Sequence, residues 1–296
     1  MTRFIPFTPI LLAVAAAASP TRAQDVPRYF ISVDMEGIGG IGTGAMTRSG
    51  GGKDYATGRR LMTDEVNTVV SALFDHGPAE VVVNDSHGDM QNLLHTELDP
   101  RVTYIQGNIK PLGMVQGLDA TFDGAFFLGY HARAGDPGGF LAHTGSGSVK
   151  GLWLNGVEVG EGGLNAAFAG SHGVPVLLAA GDEAFTREFQ ALTGSRTVAT
   201  KQAVTPQVAR LTHPDRVRAA LAEGVGAALD GADGAPVFHL EPPIIVRARF
   251  ATPTRADILQ AVPGMSRVDG YTVEYAADDM DQAYRLIRLM YKYVSW

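Results

Sequence analysis

Short apolar runs alternate with amphipathic stretches along the first two thirds of the chain. YFISVD (29–34) is apolar almost to its last residue, the pattern of a strand buried on both faces. Met62, Val66, Val69, Val70 and Leu73 recur at helical spacing and predict a helix ending near His76 and Gly77. EVVVND (80–85), VTYIQG (102–107) and GAFFLGY (124–130) predict three further strands. VKGLWLNGVEVG (149–160) predicts a hairpin turning on Asn155 and Gly156, and a small-residue helix follows from Glu161 to Gly170. VPVLLAAGD (174–182) predicts another buried strand with a helix behind it.

This alternation predicts an α/β fold, a mostly parallel sheet flanked by helices, with a smaller C-terminal α+β lobe. The change of texture comes past about residue 200. HPDRVRAALAEGVGAAL (213–229) reads as a helix, while PIIVRARF (243–250) and YTVEYAADD (271–279) alternate as half-exposed strands do. Met280, Ala283, Ile287, Met290 and Val294 form a closing amphipathic helix. The expected organisation is a signal peptide over 1–23, a metal-binding α/β domain over 24–203 and the smaller α+β lobe over 204–296.

Composition changes the picture in three ways. The chain has 296 residues, 45% of them hydrophobic, enough for a substantial core. Arg3, the apolar stretch Ile10 to Ala18, and Thr21-Arg22-Ala23 as a small-x-small site match a secretory signal too short to span a bilayer. The mature protein is therefore expected to be periplasmic or secreted, with no stable membrane insertion after cleavage. The formal charge is −7 and there is no basic stripe, which argues against a nucleic-acid partner. With no cysteine, disulfides are excluded, and any metal must be held by His, Asp and Glu.

In open parallel sheets, ligands bind beyond the carboxyl ends of the strands. Asp34 and Glu36 close the first strand, Asp85 and His87 follow the second, and His131 follows GAFFLGY. Each taken alone is an ordinary polar strand end. Together they bring carboxylates and imidazoles, the donors of zinc or a similar divalent ion, to one edge of the sheet. His143, in the glycine-rich FLAHTGSGS, reads either as a surface histidine or as a substrate-facing acid/base. Glu161, at a helix start, reads by position as a carboxylate favoured by the helix dipole.

Five blocks then occur in order: SVDMEG (32–37), RLMTDEVN (60–67), VNDSHGDMQNLL (83–94), FLGYHARAG (127–135) and GEGGLNA (160–166), with a weaker continuation in ATKQAV (199–204). Together they resemble the D-aminopeptidase family of the dipeptide-operon type, peptidase family M55. The resemblance implies two Zn2+ per chain, other divalent metals serving in principle, with Asp34 bridging both. Glu36 and His131 would complete one site, His87 and Glu161 the other, and His143 would be the catalytic histidine. It further implies removal of the N-terminal residue of short peptides, with D-Ala peptides as the class, by a metal-activated water, in a ring-shaped homo-oligomer. A metal-dependent amidase or L-peptidase on the same scaffold fits the same residues. An exported peptide-binding protein without catalysis would need neither the metal cluster nor His143.

Overall fold

YFISVD forms β1 (Arg28–Val33) at the centre of a seven-stranded sheet. The computed structural model describes residues 1 and 26–294, so the expected signal peptide, past its first residue, lies outside the described residues. Across the sheet the order is β3 (Thr103–Ile105), β2 (Glu80–Asp85), β1, β4 (Gly124–Tyr130), β7 (Val176–Asp182), β8 (Arg196–Thr205) and β9 (Val208–Leu211). The strands from β3 to β8 pair in parallel, and β9 returns antiparallel against β8. The α/β architecture expected from the alternation is borne out.

The continuous apolar runs follow from burial on both faces. Phe126 and Leu128 of β4 face a layer formed by α1 (Tyr55–His76) and α4 (Pro214–Asp230). Ala125 and Phe127 face the opposite way, toward α2 (Glu161–Ser171) and α3 (Glu183–Thr193). Every residue of β4 and of β7 is buried.

A second, antiparallel sheet covers that opposite side. Its order is β11 (Ser266–Arg267), β12 (Thr272–Ala277), β10 (Ile244–Phe250), β5 (Val149–Leu154) and β6 (Val157–Glu158). Ile244, Val246, Ala248 and Phe250 of β10 point inward, and Arg247 and Arg249 outward, as the alternation predicts. The hairpin turns on Asn155 (φ 48°) and Gly156 (φ 82°), the two positive angles of a tight primed turn. Chain from both sides of residue 204 builds this sheet, since β5 pairs with β10 through Leu154 and Val246. Conversely α4, beyond residue 204, packs on α1 in the main layer. α5 (Pro253–Leu259) and α6 (Met280–Arg288) complete the lobe, and a π-helical turn, Leu289–Tyr293, extends α6.

One buried polar chain ties these layers together beneath the strand ends. Tyr130 bonds Ser32 Oγ at 2.7 Å and accepts from Asn165 Nδ2 at 2.8 Å, while Tyr284 donates to Asn165 Oδ1 at 2.6 Å. β1, β4, α2 and α6 are thereby held in one register.

Candidate metal centre

Backbone bonds gather the strand ends. Asp34 N donates to Leu128 O at 2.8 Å, Gly37 N to Gly129 O at 2.7 Å, and Ser86 N to Val33 O at 2.8 Å. The loop after Glu36 runs so close to β4 that a Cβ at Gly37 would sit 1.9 Å from the Tyr130 carbonyl oxygen. Gly37 therefore serves the approach of one chain segment to another.

The five expected ligands and His143 come together. His87 Nδ1 lies 3.1 Å from Asp34 Oδ1 and 3.0 Å from Glu36 Oε2. His131 Nε2 lies 3.4 Å from Asp34 Oδ2 and 3.6 Å from Glu161 Oε2. His143 Nε2 is 3.8 Å from Glu161 Oε1, and its ring stacks on His131 at 4.1 Å. Asp34, Glu36, His131 and Glu161 are all buried, and His143 is partly open to a cavity.

Each histidine is oriented by a backbone carbonyl. His131 Nδ1–H donates to Ala132 O at 2.9 Å, His143 Nδ1–H to Leu141 O at 2.9 Å, and His87 Nε2–H to Thr47 O at 2.7 Å. Each ring thus turns its other nitrogen toward the carboxylates, the arrangement that fixes a ligand's tautomer. Among the described residues, two donor groups have atoms within 4.8 Å of one another: Asp34, Glu36 and His131; and His131, His143 and Glu161. Among the described residues, Asp34 Oδ2, Glu36 Oε2 and His131 Nε2 are buried without a hydrogen-bond partner. Orphaned donors and acceptors of this kind fit a cation among them.

Asp85, counted with the strand-end acids, faces away from this cluster. Its carboxylate accepts from Asn92 N at 2.5 Å and Leu93 N at 2.8 Å and so shapes the loop that carries His87. Asp182 closes β7 in a similar role: it caps α3 through Phe185 N at 2.8 Å and holds Phe140 N at 2.7 Å. Lys201, which the sequence marked only within a weak block, is buried under the site. Its Nζ donates to Glu36 O at 2.5 Å and Ile41 O at 2.8 Å, and Gly39 N donates to Glu65 Oε1 at 2.6 Å. Burial brings Lys201 down to about 7 and Glu65 up to about 7. An isolated lysine inside a strand was the signal available for this support.

The charges of the cluster are interdependent. Burial favours neutral rings at His87 and His131, but the carboxylates outweigh it. The charges of Glu36 and Asp34 hold His87 well above its ordinary pKa, and those of Glu161 and Asp34 do the same for His131. Burial disfavours the Glu36 carboxylate, yet His87 beside it holds that group well below the usual range. The surrounding carboxylates thus favour the protonated form of both rings in the metal-free protein, and a metal must compete with protons for them. Zinc titrated into metal-free protein is expected to release protons, read as a heat that changes with the ionisation enthalpy of the buffer. Apparent affinity should strengthen with rising pH until the raised pKa values are passed. Binding without proton release and independent of pH would contradict these charge states.

Buried carboxylates and oriented imidazoles at the carboxyl edge of a parallel sheet, open to a cavity, define a metallohydrolase of the α/β class. The D-aminopeptidase family, Peptidase M55, matches residues 28–289, and the chain belongs to it. A D-aminopeptidase of Bacillus subtilis (strain 168) is 39% identical over 267 residues, 89% of this chain and 96% of that protein. The solved structure of the Zn-dependent D-aminopeptidase DppA from Bacillus subtilis, described as a self-compartmentalizing protease, superposes with a TM-score of 0.87 at 36% identity. That match covers 90% of this chain and 97% of the other. The resemblance carried by the five sequence blocks is borne out.

Proposed function

We propose that the chain is a zinc-dependent aminopeptidase that removes the N-terminal residue of short peptides, with D-alanyl peptides as the substrate class. The observation that carries the reading is the set of orphaned buried atoms on Asp34, Glu36 and His131, facing one another at the cavity edge. Family membership and the zinc dependence of DppA support it. Asp34, Glu36, His87, His131 and Glu161 would hold two ions, with Asp34 between them. Bound there, zinc supplies Lewis acidity and a water that ionises near neutral pH. His143, anchored through Nδ1, offers Nε2 to the cavity to move a proton to the leaving amine or to steady the developing oxyanion.

Two further parts of the reading concern assembly and location. Val204, Val208 and Leu211 expose apolar side chains along the β8–β9 edge hairpin, a surface suited to another copy of the chain. Together with the self-compartmentalizing relative this supports a ring-shaped homo-oligomer. Export to the periplasm or medium rests on the leader-like residues 1–23. No helix of the described residues is long and apolar enough to cross a membrane.

The test pairs elemental analysis with hydrolysis of D-Ala-D-Ala and L-Ala-L-Ala on one preparation. Two zinc ions per chain and D-selective cleavage, abolished by chelator and restored by zinc, are expected. L-selective cleavage would discard the D-alanyl class and keep the metal site. Absence of both metal and cleavage after zinc reconstitution would refute the reading.

A further inference from the structure

The main sheet breaks register at one place beside the metal centre. β7 and β8 pair in step from Leu178 and Arg196 as far as Gly181 and Ala199, but Asp182 then pairs with Lys201. Thr200 is therefore an extra residue in β8, a bulge of the kind that re-aims a side chain next to a site. Alternation fails at the same point. Ala199 and Gln202 are exposed, whereas Thr200 and Lys201 between them are both buried.

Both side chains reach the loop that follows Glu36. Thr200 Oγ1 donates to Gly37 O at 2.5 Å and Lys201 Nζ to Glu36 O at 2.5 Å. Two consecutive residues of β8 thus hold two consecutive carbonyls, one of them the backbone of a prospective metal ligand. Lys201 Nζ also donates to Ile41 O at 2.8 Å and so gathers the far end of the loop. From the helix side, Glu65 of α1 accepts from Gly39 N at 2.6 Å, and a Cβ at Gly39 would lie 2.7 Å from that same oxygen. The loop's own turns, Ile38 N on Met35 O and Ile41 N on Ile38 O, both at 3.1 Å, fix its shape. The bond of Gly37 N to Gly129 O and the side chains of Thr200, Lys201 and Glu65 fix where it lies.

A buried ammonium is costly unless it is hydrogen-bonded, and an apolar side chain would fill the same space without that cost. What Lys201 adds over such a side chain is the two carbonyls that it collects. It is steadied by the Phe140 ring, whose centroid is 5.2 Å from Nζ. The Phe140 amide is held in turn by Asp182, the partner of Lys201 in the sheet.

We infer, on the metal-binding reading of the preceding subsection, that the bulge makes Thr200 and Lys201 positioning residues for Glu36. They fix the Glu36 backbone, and through it the place of its carboxylate beside Asp34 and His131, the donor group whose atoms lie within 4.8 Å of one another. Outer partners of this kind are worth about 10- to 100-fold in metal affinity.

The test measures zinc affinity, by competition with a chromophoric chelator, for the full-length wild type, Lys201→Met, Thr200→Val and Glu36→Gln. Amide exchange is followed in the metal-free forms. Lys201→Met keeps an unbranched side chain and removes the donor. It should weaken by about 10- to 100-fold the same ion that Glu36→Gln loses, leave any other ion at wild-type affinity, and speed exchange over 36–41 alone. Thr200→Val keeps the shape and removes the hydroxyl. It should do the same by a smaller factor, and it decides the matter if Lys201→Met fails to fold. Excess zinc should restore kcat in both variants with KM unchanged, since neither side chain lines the cavity. Wild-type zinc affinity in both variants would overturn the inference, as would weakening of every bound ion with faster exchange throughout the chain. A wild type that binds no zinc would refute the metal-binding reading instead. Exchange would then decide whether Thr200 and Lys201 position the Glu36 loop: a gain confined to 36–41 supports it, and no gain overturns it.

Discussion

Asp34→Ala is expected to abolish zinc binding and to reduce hydrolysis of D-Ala-D-Ala by more than the roughly 10–100-fold that follows loss of a group merely orienting a ligand. Asp34 presents one carboxylate oxygen to His87 at 3.1 Å and the other to His131 at 3.4 Å, so a single side chain serves both halves of the cluster. Its removal takes from two buried rings part of the negative charge that raises their pKa, and takes both carboxylate oxygens from the cluster. Asp34→Asn retains the shape and removes the charge, and it should lose zinc as well. Glu36→Gln should lose one ion and keep the other if Asp34 bridges, because Asp34 and Glu161 remain. Elemental analysis and thermal denaturation of each variant check the set. Full zinc and full turnover in Asp34→Ala would refute the assignment.

Much of this site was legible because chain direction and periodicity constrain it. Continuous apolar runs mark strands buried on both faces, and the rule that ligands gather beyond their carboxyl ends locates Asp34, Glu36, His87 and His131 without coordinates. The same rule also drew in Asp85, which turns out to bond Asn92 and Leu93. A strand end fixes where a side chain starts and leaves its rotamer to the loop that follows. Glu161 shows the opposite limit. A carboxylate in the first turn of a helix is favourable by itself, so its second possible use was visible only through family resemblance.

Non-local pairing was the larger gap. The hairpin at Asn155 was plain from its turn residues, but nothing in its sequence names β10 as the neighbour of β5. That pairing joins the two lobes, and Arg288, Tyr291 and Lys292, at and just beyond the end of α6, line the cavity. The closing helix was read from Met280, Ala283, Ile287, Met290 and Val294, an apolar stripe that says nothing of Arg288 beside it, and α6 itself ends at Arg288. The π-helical turn then departs from the helical period and carries Tyr291 and Lys292 to the cavity. Lys201 was hidden for a related reason. A lysine in a strand is ordinarily expected at a solvent-facing position, and only the fold shows that the glycine loop after Glu36 covers this one.

His143→Gln is expected to retain the zinc content of the wild type and to lower kcat by about 10²–10⁴-fold, the span of a lost general acid or base, with little change in KM. The side chain is 31% exposed toward the cavity, whereas the prospective ligands Asp34, Glu36, His131 and Glu161 are nearly closed off. Its Nδ1–H is committed to the Leu141 carbonyl at 2.9 Å, leaving Nε2 as the atom that can carry a proton. Leu141 adopts φ 52°, a left-handed conformation that costs a leucine on the order of 1–3 kcal/mol and is held by its own N–H on the Pro206 carbonyl at 2.9 Å. The fold thus maintains a strained turn that aims one carbonyl at one histidine, which is how a reacting group is kept in register. His143 also lies in a donor group with His131 and Glu161. Zinc stoichiometry therefore decides between the two roles: loss of an ion together with activity would make His143 a ligand, whereas loss of turnover at full zinc content assigns it to proton transfer.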